Sequence, residues 1–211
     1  SQADRLSVGG NVTLAGGLDL VVSPGTSGGG GFVILNNRGS QSVTGTFAGL
    51  PEGAQFSAGG LTWRITYTGG DGNAVVLTNI TPPSAIENWR LLHFGTMLNV
   101  GNAADSFDAD SDGETNLLEF ATGQNPHAAT RAFTSVSKSA SAIEFRYTRS
   151  KEAFDAGYQF EIQHADSPGA NPWTGIGPGT VLTDGPVQTV LATIPVGTAK
   201  RRFVRVRVMT P

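Results

Sequence analysis

Hydrophobic and polar residues alternate at period two through most of the first 80 residues, in short runs such as RLSVGGNVTLAGGLDLVV, FVILNN, SVTGTFAGL, LTWRITYTG and NAVVLTNI. Glycine, asparagine and proline punctuate these runs, the grammar of strands joined by tight turns. The spacing predicts a strand-rich module over residues 1–80 with almost no helix. In VGGNVTLAGGLDLVV the glycines recur at short regular intervals, which fits the stacked coils of a β-solenoid, where each coil buries its apolar face only on its neighbours. A solenoid cut at this point would start with an uncovered end.

The pattern changes at ITPPSAIENWRLLHFGT. Pro82 and Pro83 stop the strand, Ser84 is suited to cap a helix, and Ile86, Trp89, Leu92 and His93 or Phe94 are read as its apolar face. Gly95 ends that helix. A second short helix is expected from about Thr115 to Thr122, carrying Leu117, Leu118 and Phe120 and stopped by Gly123 and Pro126. Residues 81–127 therefore form a helical connector.

From about residue 133 alternation returns in SAIEFRYTRS, GYQFEIQHA, PVQTVLATIP and KRRFVRVRVM. Ile143, Phe145 and Tyr147 oppose Glu144 and Arg146; Phe160 and Ile162 oppose Glu161 and Gln163; Val204, Val206 and Val208 oppose Arg205 and Arg207. One face to a core and one to water predicts an antiparallel β-sandwich over residues 128–211. The fold class expected is mainly β: a β-solenoid-like module, a helical connector and a C-terminal sandwich.

Composition narrows what such a chain can do. The 211 residues include 14 basic and 17 acidic side chains, a formal charge of −3, which argues against nucleic acid as a partner, since that affinity comes from a clustered basic face. No apolar run approaches the roughly 20 residues of a membrane-spanning helix. Cysteine is absent, so any metal must be held by oxygen or imidazole, and the composition suits an exported protein in oxidising surroundings. SQADRL has neither the charged start nor the apolar stretch of a signal peptide, so the chain reads as a processed or excised piece.

The densest candidate chemistry is DADSDGETNLLEF, residues 108–120. Counted from Asp108, it places Asp108, Asp110 and Asp112 at positions 1, 3 and 5, Gly113 at 6, Glu114 at 7, Asn116 at 9 and Glu119 at 12. This is the spacing of a Ca²⁺ loop: carboxylates from one turn converge on the ion, Gly makes the bend, the main-chain carbonyl of position 7 adds an oxygen, and the acid at 12 binds bidentately. Mg²⁺ fits less well, because it keeps more water at a smaller radius. A solvated capping turn is the alternative, yet it needs only one or two of these residues. Gathered without a cation, the carboxylates repel one another, so the loop is expected to be loose until Ca²⁺ arrives.

The stretch resembles the calcium loops of dockerin modules and thrombospondin type 3 repeats, which lack the entering helix of an EF-hand. A dockerin carries two such loops and this chain one, a departure from cohesin-docking modules. More of the chain, in DRLSVGGNVTLAGGLDL, VTGTFAGLPEGAQF, WRITYTGGDGNAVVLT, IENWRLLHFGT, NLLEFATGQNP and RRFVRVRV, resembles the C-terminal end of large secreted proteins with autotransporter-associated β-strand repeats, common in Verrucomicrobia and Planctomycetes. That family pattern has Asp after GGDGN, where this chain has Ala74. The resemblance implies an extracellular or cell-surface location and no particular activity.

Other motifs read more plainly. GGDGN at 69–73 half-matches a calcium-binding nonapeptide, but Ala74 stands where that repeat needs Asp and there is one copy, so it is read as a plain hairpin turn. GTSGG at 25–29 suggests a protease nucleophile loop but lacks a base partner. His93, His127 and His164 show no ligand spacing, and GIGPG at 175–179 does not open a helix. Lys200, Arg201, Arg202, Arg205 and Arg207 form a basic stripe, read either as contact to an anionic polysaccharide or as pairing with Glu144 and Glu161. Trp173 is the one tryptophan suited to stack on a sugar.

With no catalytic constellation, the sequence leads to a non-enzymatic, extracellular, calcium-binding structural or adhesive surface protein, with a fibre or filament subunit among its forms. Its partners are then other copies of itself or surface polysaccharide. The alternative is a carbohydrate-binding accessory region of a secreted polysaccharide-degrading protein.

Overall fold

The computed structural model describes residues 4–23, 30–167, 169, 173–177, 179–197 and 201–211; GTSGG at 25–29, Pro178 of GIGPG and Lys200 lie outside them. The chain forms two compact units, Ser1–Pro83 and Ser84–Pro211. Both are built mainly from β-strands.

The first unit holds β1 (Leu6–Val8), β2 (Thr13–Leu14), β3 (Gly31–Asn37), β4 (Thr44–Gly45), β5 (Gln55–Ala58), β6 (Leu61–Gly69) and β7 (Ala74–Asn79). Its main sheet runs β1-β3-β7-β6-β5, antiparallel from β3 to β5. The GGDGN segment is the turn between β6 and β7, closed by Gly72 N donating to Gly69 O at 3.0 Å. β1 instead joins β3 in parallel, and β2 joins β4 in parallel. Further bonds, Arg38 N to Val8 O (2.7 Å), Thr44 N to Val12 O (3.0 Å) and Ala48 N to Gly16 O (2.6 Å), lay residues 8–16 alongside 38–48. Gly45, at φ +74, lies so close to the Leu14 carbonyl that a Cβ there would collide with it. The alternation read from the sequence fills the core: Val12, Leu35, Trp63, Ile65, Tyr67, Val75 and Leu77 are buried together. Each such burial contributes about 1.5–3 kcal/mol for a residue of valine to phenylalanine size.

The second unit holds α1 (Ala85–Phe94), a 3₁₀ turn (Gly101–Ala103), α2 (Asn116–Thr122), β8 (Thr134–Lys138), β9 (Ala142–Ser150), α3 (Lys151–Asp155), β10 (Gln159–Ala165), β11 (Thr174–Gly175), β12 (Thr180–Thr183), β13 (Val187–Pro195) and β14 (Phe203–Met209). Two antiparallel sheets form, β11-β10-β14 and β12-β13-β9-β8. Phe145 and Tyr147 of one sheet meet Phe160 and Ile162 of the other in one core, with Val204, Val206 and Val208 packed against it. Ile86 of α1 and Phe120 and Ala121 of α2 belong to that same core. The helical segment 81–127 thus contributes its helices to the second unit's interior.

α1 starts at the Ser84 cap with a full capping box to Glu87 and stops at Gly95 in the left-handed conformation. Its buried face differs from the expected one. Ile86 and Arg90 are buried, whereas Leu92 is 79% exposed. Positions 86, 89, 90 and 93 share one helical face, and 92 falls on the other side. α3 has no counterpart in the sequence reading; Ser150 caps it by accepting from Ala153 N at 3.2 Å.

Candidate metal centre

The acidic loop spans two anchored ends. Upstream, Arg90 of α1 is buried and ion-paired with Asp105 at 2.5 Å, and Asn99 binds both the side chain and the main chain of Asp105. Asp105 and Phe107 offer their carbonyls to Leu117 N (3.1 Å) and Asn116 N (2.8 Å). These bonds satisfy N–H groups that open α2, whose N-cap Thr115 supplies no side-chain bond. Downstream, Phe120 and Ala121 fasten α2 to the core.

Between these ends the loop is folded by its own acids. Asp108 accepts from Ser111 N (2.8 Å) and Gly113 N (3.0 Å), Asp110 from Asp112 N (3.2 Å), and Asp112 from Glu114 N (2.7 Å). The tight path puts Ser111 at φ +65 and Gly113 at φ +96, and only glycine takes the second value without strain. Asp110 and Asp112 each spend one oxygen on these turns. The other oxygen, Oδ2 in both, is buried without a hydrogen-bond partner.

Asp108, Asp110 and Asp112 bring one oxygen each to within 4.8 Å of one another, an arrangement able to hold a metal ion. Glu119 lies outside that mutual distance but is fully buried, with both carboxylate oxygens unpartnered. A buried carboxylate with no donor is costly. Burial first, then the charges of Asp110, Asp112, Asp108 and Glu114, push its pKa up to about 7.

Glu114 and Asn116 stand differently. One oxygen of the Glu114 carboxylate, Oε2, is engaged, accepting from Ala132 N (3.0 Å) and Gln124 Nε2 (3.3 Å). Asn116 donates through Nδ2 to the carbonyls of Asn102 (2.9 Å) and Ala104 (2.8 Å), tying α2 to the upstream turn, while its Oδ1 is buried and unpartnered. Arg131, absent from the sequence reading, donates through Nε (3.1 Å) and Nη2 (2.6 Å) to Asp112 O. It stands 19 residues from its acceptor, beyond the reach of any local spacing rule.

The remaining candidates are largely engaged within the fold. The Arg205 guanidinium covers Trp173 at 4.0 Å and donates to Gln163, whose amide in turn donates to Glu161. Arg207 lies 3.9 Å from Glu161, Arg202 bonds Asp166 at 3.0 Å, and Glu144 pairs with Arg146 of its own strand. His127 Nε2 lies 2.9 Å from His93 O, beside an aromatic group of Trp89 and Phe94. Among the described residues no helix is long and apolar enough to cross a membrane. Comparison with protein-family models, curated proteins and solved structures finds no match to this chain.

Proposed function

We propose that the chain is a non-enzymatic, calcium-binding structural or adhesive element that works outside the cell. The observation that carries the metal part is Glu119: a fully buried carboxylate with both oxygens unpartnered, facing the electrostatic field of three clustered aspartates. A cation supplies the charge and the ligation these oxygens lack. Ca²⁺ suits the set because it takes six to eight oxygens at varied geometry, and the loop offers carboxylates and a carbonyl, with no thiol. The ion holds α2 against the loop and, through Phe120 and Ala121, supports the core of the second unit, whose two sheets we read as a sandwich.

The extracellular location is supported by the absence of cysteine and by the resemblance to secreted repeat proteins. The structural role draws on the parallel stacking of residues 8–16 on 38–48, which we read as one step of a solenoid, and on β1, which stands at the edge of its sheet. An edge strand offers main-chain donors and acceptors to a further strand of another copy. The sugar-binding alternative is weakened where it depends on Trp173, one face of which is already covered by Arg205.

Calorimetric titration of chelator-treated protein with Ca²⁺ and Mg²⁺ tests the metal reading: one Ca²⁺ per chain is expected, with weaker Mg²⁺. No heat and no change in melting with millimolar Ca²⁺ would exclude it. Sedimentation across concentrations tests assembly, and monomers throughout, with and without Ca²⁺, count against the fibre form.

A further inference from the structure

The metal loop is gripped on its outer side by a segment that follows α2. Arg131 donates two hydrogen bonds to Asp112 O. That carbonyl belongs to the same peptide unit as Gly113 N, which donates to Asp108 Oδ2 at 3.0 Å. Donors placed on the oxygen of an amide polarise it and strengthen donation from its N–H. Arg131 therefore fixes the plane of the peptide at the sharpest bend and, through it, the carboxylate at the first position.

One residue further on, Ala132 N holds Glu114 Oε2 at 3.0 Å, Gln124 Nε2 reaches the same oxygen at 3.3 Å, and Thr130 Oγ1 reaches Gln124 Oε1 at 3.2 Å. Thr130, Gln124, Glu114 and Ala132 form a polar chain that holds Glu114 Oε2 in place. The chain fixes where the Glu114 charge stands relative to Glu119, which feels it together with Asp110, Asp112 and Asp108. The strap thus acts on both the shape of the loop and the placement of its charge.

We propose that residues 130–132 are a clasp that sets how long the loop retains its cation, with Arg131 as the positioning residue. This rests on the reading of the loop as a Ca²⁺ site. A clasp formed by a distant segment resists opening of the loop, so its effect falls on dissociation and leaves association, which is governed by the charge of the acids, nearly unchanged. Lysine is a poor substitute, because one ammonium lacks the planar fork that holds a carbonyl through Nε and Nη2 together.

The test uses the full chain and its Arg131→Ala, Arg131→Lys and Glu114→Ala variants, with Ca²⁺ and luminescent Tb³⁺ as probes. Dissociation is followed by mixing the loaded protein with excess chelator. Arg131→Ala is expected to release the ion about tenfold faster, with association within about twofold of the parent. Arg131→Lys should recover part of the difference, and melting of the metal-free protein should hold, because the Arg131 side chain is exposed. Combining Arg131→Ala with Glu114→Ala should be non-additive, as expected of groups in one network. Equal release rates for parent and Arg131→Ala overturn the clasp while leaving the site intact. A parent chain that binds neither ion overturns the site, and the clasp with it. If Arg131→Ala lowers metal-free melting to the same extent as metal-bound melting, Arg131 is a structural contact and the proposal fails.

Discussion

The two units treat buried polarity in opposite ways. In the first, Asn37 is 2% exposed and bonded through both amide atoms: Nδ2 donates to Gln41 O at 2.7 Å and Oδ1 accepts from Gly39 N at 2.9 Å. Asn79 likewise accepts from Thr81 N. In the second, Glu119, Asp110, Asp112 and Asn116 all hold buried oxygens without partners, and Arg90 holds a buried unpartnered Nε. Native interiors satisfy nearly all such groups. Among the described residues, no buried side-chain oxygen or nitrogen of the first unit is left without a partner, whereas the second unit's unmet acceptors all fall within residues 110–119. That asymmetry separates a polar turn from a ligand site more sharply than acidity does, since the GGDGN turn also carries an aspartate and closes with a main-chain bond.

The largest effect expected from this contrast is on metal removal. At free Ca²⁺ a thousandfold above its dissociation constant, binding to the folded form alone stabilises by about 4.1 kcal/mol. Chelation should lower the melting of the second unit by that amount and leave the first unit's transition in place. Scanning calorimetry with fragment-resolved hydrogen exchange reads both, and an equal shift in the two units would erase the contrast.

Glu119→Gln comes next. It keeps the shape and removes the charge, so Ca²⁺ affinity should fall by at least about a hundredfold, near 2.7 kcal/mol. Metal-free stability should rise, because the repulsion with Asp110, Asp112 and Asp108 is relieved. Unchanged affinity in titration would detach the buried carboxylate from the site.

A control in the first unit sharpens the comparison. Asn37→Ala strands the Gly39 N–H and the Gln41 carbonyl, at a cost of about 1–3 kcal/mol. Denaturant midpoints should show the same loss with and without Ca²⁺, in contrast to every substitution at the loop.

The smallest and most diagnostic effect is on pH. Glu119 titrates at about 7 in the fold against an ordinary value of 4.5. A raised carboxyl pKa means that the protonated form stabilises the fold. The contribution is complete below about 4.5 and lost as pH rises through about 7. Metal-free protein should accordingly melt lower at pH 8 than at pH 5, with the trend reversed by saturating Ca²⁺, which takes the ionised form. A metal-free melting curve flat across that window would contradict the burial of Glu119 among like charges.

Much of the fold was legible from residue order, because the relevant physics is local. Ser84 specifies a helix start, Gly95 and Gly123 specify helix ends, and alternation at Ile143, Phe145 and Tyr147 specifies a core face. The spacing of Asp108, Asp110, Asp112 and Gly113 likewise determined the turn that gathers three carboxylates. Other features were decided by tertiary structure. Arg90, a charged residue, lies on the buried face of α1 because Asp105, fifteen residues on, supplies its counter-charge. Glu114 Oε2 is held by donors from Ala132 and Gln124, which lie 18 and 10 residues away. Parallel pairing of Leu6 with Leu35 joins segments whose individual patterns would equally suit antiparallel neighbours. Spacing within a dozen residues fixes what a turn can hold, but only the packing of distant segments decides which acids stay without a partner, since burial and counter-charges come from residues the local pattern never meets.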